Sequence, residues 1–134
     1  MHLQSQEPVR DLKSTLTRLY ALVAGGKKLG LERVEAACAA LGHPERAFEV
    51  IHVAGTNGKG SVCAFTAAML HAAGRKVGMY TSPHLCKFSE RIQIDGAPID
   101  DETLASTLNR VMEAGPELTF FEVATVAAFV IFRA

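Results

Sequence analysis

Val53-Ala54-Gly55-Thr56-Asn57-Gly58-Lys59-Gly60-Ser61 is the stretch on which the reading of this chain turns. Before it, residues 48–54 form a short apolar, β-branched run that reads as a buried strand. After it, residues 61–73 are rich in helix formers (Ala64, Ala67, Ala68, Met69, Leu70), and Gly74 is placed to cap that helix. Residues 76–81 supply a second short strand. A strand, a Gly-rich turn, a helix and another strand make one βαβ unit, which implies parallel strands joined by a right-handed crossover. The expected class is α/β.

Outward from this unit, helical spacing recurs. Leu12, Leu16, Leu19, Tyr20 and Val23 form one amphipathic face over residues 11–23, ended by Gly25 and Gly26. Leu31, Val34, Cys38 and Leu41 form a second, stopped by Gly42 and Pro44. Downstream, Ile92 and Ile94 flank Gln93, and Asp95-Gly96 before Pro98 and Ile99 predicts a small ribbon. Asp100 or Asp101 is suited to cap a helix bearing Leu104, Leu108, Val111 and Met112, closed by Gly115 and Pro116. Residues 120–132 are apolar apart from Glu122 and Thr125 and fall short of the roughly 20 residues that cross a bilayer, so they read as a buried helix. That helix runs to Ala134 without a cap, so the chain reads as truncated inside an element.

At 134 residues with 49% apolar side chains, the chain suits one core. Fourteen basic and 14 acidic residues give a formal charge of zero, so no broad cationic field attracts nucleic acid or an anionic membrane. Any anion site is local. Cys38, Cys63 and Cys86 fit no zinc spacing and are expected to be reduced packing residues of a cytoplasmic protein. The polar residues 1–10, with Glu7, Pro8 and Arg10, do not resemble a secretory signal.

The chemistry lies in the Gly-rich turn. Successive N–H groups at a helix N-terminus form a concave anion site aided by the helix dipole. Lys59 is suited to meet terminal phosphates, and Ser61 to offer its hydroxyl to a nucleotide-bound magnesium ion. The usual P-loop has four residues between Gly and Gly-Lys and then Ser or Thr; here two intervene between Gly55 and Gly58, and Gly60 is inserted. A plain strand-to-helix loop is the alternative.

Taken whole, this loop closely resembles the phosphate loop of the Mur ligase superfamily, and its folate branch, the dihydrofolate synthases and folylpolyglutamate synthases, is the nearest likeness. That branch has segments similar to Gly30-Leu31-Glu32-Arg33-Val34, Ile51-His52, Thr81-Ser82-Pro83-His84-Leu85, Ser89-Glu90-Arg91-Ile92, Asp95-Gly96 and Phe120-Phe121-Glu122, in this order and spacing. The likeness covers nearly the whole chain. It implies a P-loop-containing parallel-sheet ATPase domain of Mur ligase type, incomplete at its C-terminus. Residues 1–134 would be its N-terminal part, without the C-terminal glutamate-binding domain.

The resemblance also implies an activity: ATP-dependent addition of L-glutamate to dihydropteroate or to reduced folates through an acyl phosphate, with ATP and Mg2+ required. The nucleotide would sit on Gly55, Thr56, Asn57, Gly58, Lys59, Gly60 and Ser61. Ser82 and Glu122, beside Ser61, resemble magnesium ligands, and Thr81, Ser82, Pro83, His84, Leu85 and Arg91 resemble a substrate-binding loop. Three alternatives stay open at single residues. Glu122 also suits the first turn of a helix, where negative charge is favourable. Arg91 also suits a structural position, and His84 is a base, a stacking surface or an ordinary loop histidine. His52 reads as a core histidine, and His2, His43 and His71 suggest no chemistry. The rival readings are a peptidoglycan-precursor ligase, against which Thr81-Ser82-Pro83-His84 and Ser89-Glu90-Arg91 argue, a non-catalytic nucleotide-binding module, and a general small-molecule kinase. A monomeric enzyme without nucleic-acid or membrane partners is the expectation.

Overall fold

The computed structural model describes residues 11–25, 30–55, 57–82 and 86–134. Thr56, Pro83, His84 and Leu85 lie outside them. Helix α1 (Leu12–Ala21) starts where Asp11 accepts the Ser14 N–H at 2.8 Å. Helix α2 (Glu32–Ala40) buries Ala37 and Cys38 and is followed by His43 in the left-handed region just before Pro44. Helix α4 (Asp101–Ala114) is capped by Asp100, which accepts the Thr103 N–H at 2.8 Å, and its Leu104, Leu108 and Val111 are fully buried. Helix α3 (Lys59–Ala72) starts directly after Gly58.

The core is built around α5 (Phe120–Arg133), which buries Val123, Ala124, Val126, Ala127, Ala128, Val130 and Ile131 against α1, α2 and α4. An apolar surface this wide on one helix satisfies itself only between neighbours. A polar clasp ties α1 to α4. Arg18 donates to Asn109 Oδ1 at 2.7 Å, and Asn109 Nδ2 donates to the buried Thr15 hydroxyl at 2.9 Å. A buried hydroxyl without such a partner would be costly.

Strands β1 (Gly78–Tyr80), β2 (Ile92–Ile94) and β3 (Ala97–Pro98) form a three-stranded antiparallel sheet in the order β1-β2-β3. Met79 pairs with Gln93 and Gln93 with Pro98. The ribbon turns through Asp95 (φ 49°) and Gly96 (φ 85°), both left-handed as a two-residue type I′ turn requires. Gly78 lies so close to α5 that a Cβ there would collide with the Phe132 ring. Gly78→Val is expected to cost about 1–3 kcal/mol by overpacking, read as a lower thermal midpoint. An unchanged midpoint would mean that the ring turns aside.

The expected parallel βαβ unit is corrected by the structure. Residues 49–55 join no ladder, and every strand pair among the described residues is antiparallel. A strand needs a second backbone to accept its hydrogen bonds, and among the described residues none pairs with this segment, which lines a cavity of about 530 Å³ together with β1 and α3. Val50 and Ile51, expected inside, are 65% and 66% exposed. His52, expected in the core, is exposed as well. Only Cys38 is fully a packing thiol, pushed up to about 11 by burial and by the Glu45 charge; Cys63 is half-buried and Cys86 exposed. No helix among the described residues is long and apolar enough to cross a membrane.

Candidate nucleotide and metal site

Helix α3 begins without any side-chain cap. Its N-cap is Gly58 at φ 75°, ψ 7°, a left-handed conformation that a side chain would strain, and the first turn carries no acid. The opening N–H groups of a helix have no intrahelical acceptor, so this end presents unpaired donors at the positive pole of the helix dipole. Lys59 occupies the first helical position and is exposed. Its stem folds back so that Cγ lies 3.9 Å from where a Cβ on Gly55 would stand. Asn57 and Ser61 are exposed on the same turn. The arrangement suits a polyanion and leaves room for one, since nothing lies within 4 Å of the Cβ direction of Gly58 or Gly60.

The C-terminal end of β1 meets the first turns of α5. Tyr80 and Thr125 share a hydroxyl hydrogen bond of 3.2 Å, and the Tyr80 and Phe121 rings lie 6.4 Å apart. Thr81 and the exposed Ser82 follow directly. The Thr81 N–H donates to the Arg91 carbonyl at 2.9 Å. Glu90 Oε2 accepts the N–H groups of Cys86 and Lys87 at 3.1 and 2.7 Å.

Glu122 sits on the opening turn of α5. With Thr119 it forms a capping box: the Thr119 hydroxyl accepts the Glu122 N–H at 3.3 Å, and Glu122 Oε1 accepts the Thr119 N–H at 3.0 Å. Arg33 forks onto the same carboxylate, Nε to Oε1 at 3.2 Å and Nη2 to Oε2 at 3.0 Å. Burial pushes the Glu122 carboxyl up, but the Arg33 guanidinium and Thr119 outweigh it and hold the group below the usual range. Glu122 is therefore an ionised, oriented carboxylate at neutral pH. Glu122 offers a carboxylate and Ser61 and Ser82 offer hydroxyls, hard-oxygen donors of the kind that fit Mg2+.

No family model matches the chain. Among curated proteins, the dihydrofolate synthase/folylpolyglutamate synthase of Bacillus subtilis is 44% identical over 115 residues, 80% of this chain and 27% of that protein. The Escherichia coli protein of the same name is 36% identical over 132 residues, 97% of this chain and 31% of its own length. Escherichia coli FolC in complex with DHPP and ADP superposes with a TM-score of 0.84 at 38% identity, over 92% of this chain and 30% of that one. The chain belongs to the dihydrofolate synthase/folylpolyglutamate synthase family. A bifunctional folylpolyglutamate synthase/dihydrofolate synthase with Mn, AMPPNP and L-glutamate bound matches at a TM-score of 0.83 and 35% identity, over 92% of this chain and 30% of that one. This chain thus spans under a third of the length of these folate-ligase relatives.

Within this folate-ligase family chain, two residues carry more than their sequence context showed. Arg33 had no assigned role. Its signal was a cation on the opening turn of α2, where the dipole disfavours positive charge, and Glu122 supplies the compensation across 89 positions. Arg91, expected to face substrate, is only 8% exposed. Its guanidinium lies over the Phe88 and Phe120 rings at 5.1 and 5.3 Å, a cation–π packing role at the base of the loop.

Proposed function

We propose that this chain carries the nucleotide-binding part of an ATP-dependent ligase that joins L-glutamate to dihydropteroate, to reduced folates, or to both. The observation that carries the reading is the uncapped N-terminus of α3, with Gly58 left-handed and Lys59 exposed beside it. The relatives' names and bound ligands favour folate acids over other acids. Helix α3 supports placing residues 1–134 within a larger Mur-type ATPase domain. Cys63, Thr66, Ala67 and Leu70 line the cavity towards β1, while Val62, Phe65 and Met69 are 50%, 71% and 66% exposed. A helix apolar on two faces belongs between layers.

A carboxylate is anionic and lacks a leaving group, so it must be activated before an amine attacks it. Its oxygen attacks the γ-phosphate of ATP, releasing ADP and forming an acyl phosphate. The amino group of L-glutamate then displaces phosphate and loses a proton, leaving the amide. In this scheme the α3 amides and Lys59 neutralise and align the phosphates. Ser61, Ser82 and Glu122 would hold Mg2+, which would screen phosphate charge. By the resemblance, the folate acid would be met by the segment from Thr81 to Leu85, with Arg91 packed over Phe88 and Phe120 nearby in sequence.

The test is ligation by the intact protein, not by residues 1–134 alone, with ATP, Mg2+, L-glutamate and either dihydropteroate or a reduced folate. Glutamylated product with ADP release supports the reading. Nucleotide binding with neither product would mean a non-catalytic module, and turnover only with a nucleotide-linked muramyl acid would move the chain to peptidoglycan-precursor synthesis.

A further inference from the structure

The Arg33–Glu122 contact assigns more than charge balance. A carboxylate oxygen accepts about two hydrogen bonds in its plane. Glu122 Oε1 already takes two donors, the Thr119 N–H at 3.0 Å and Arg33 Nε at 3.2 Å. Oε2 takes one, Arg33 Nη2 at 3.0 Å. The planar guanidinium fixes the plane of the carboxylate as well as its position, because both nitrogens must be satisfied together. Both side chains are mostly covered, at 17% and 12% exposure, so water does not readily replace the fork.

Resting on the reading of Glu122 as a magnesium ligand, we infer that Arg33 is a positioning residue for the metal: it saturates Oε1 with Thr119 and presents the remaining lone pair of Oε2 for one-point coordination. Helix α2 thereby sets the metal geometry although none of its residues touches the ion. Partners that orient a ligating carboxylate commonly matter as much as distance and charge. Arg33 adds a positive charge near the cation, so orientation and repulsion have opposite signs and the experiment separates them.

The measurement is Mn2+ binding by the intact protein with a non-hydrolysable ATP analogue, read as free Mn2+ by electron paramagnetic resonance. Arg33→Gln is expected to weaken Mn2+ affinity about 10- to 100-fold. Arg33→Lys keeps the charge but not the fork, and is expected to lose about 10-fold. It also carries the decision should Arg33→Gln fail to fold, judged by circular dichroism. Unchanged or tighter binding in the folded variants would overturn the inference, tighter binding meaning that Arg33 competes with the ion. Full rescue by Lys would also overturn it, since charge alone would then suffice. Glu122→Gln distinguishes the two layers: normal Mn2+ affinity there would remove Glu122 as a ligand and this role of Arg33 with it, whereas loss there with unchanged Arg33 variants overturns only the positioning role.

Discussion

Lys59→Ala is expected to lower the ligation rate of the intact protein by about 10²- to 10³-fold, the usual cost of deleting one preorganised donor from developing charge. Lys59 is exposed at the first position of α3, so it contributes nothing to the core. Its loss should leave the free energy of unfolding within about 0.5 kcal/mol of the parent. That separation makes the variant informative. Initial-rate ADP release with all substrates present is the readout, and a near-normal rate in Lys59→Ala would take this ammonium out of the reaction.

Glu122→Ala is expected to damage both stability and turnover. Removing one partner of a covered ion pair leaves the other desolvated and uncompensated, a loss of 3–5 kcal/mol for fully buried pairs. Here Arg33 and Glu122 keep 17% and 12% exposure, and the capping box is lost too, so about 3 kcal/mol is the expected decrease. The thermal midpoint measures it. A fall in turnover at temperatures where the variant is folded would report the metal role separately, and normal turnover there would confine Glu122 to structure.

The helices were legible because their signals are local. Leu104, Leu108 and Val111 share one helical face, Asp100 caps it, and all three aliphatics are buried. The Asp95-Gly96 turn was equally local, since left-handed φ at both positions defines the ribbon. Strand 48–54 failed for the opposite reason. Its apolar, β-branched residues satisfy a propensity, but a strand exists only when another backbone accepts its hydrogen bonds, and among the described residues none pairs with this segment.

At the site, the Gly-rich turn that opens α3 was readable as contiguous sequence, whereas the Arg33–Glu122 fork spans 89 positions and needed the packing of α2 on α5 to appear. Arg91 stayed open between two readings in the sequence, because a cation buried over aromatic rings and a substrate-facing cation carry the same one-letter signal.

The most direct measurement is oxygen transfer in the intact protein supplied with ATP, Mg2+, L-glutamate and dihydropteroate labelled with ¹⁸O in its carboxylate. Activation by phosphoryl transfer places one labelled oxygen in the inorganic phosphate released with each amide formed. Labelled phosphate appearing at the rate of glutamylated product is the expected result. Product formed while the phosphate stays unlabelled, or phosphate released without product, would contradict the assignment of this site to acyl-phosphate ligation.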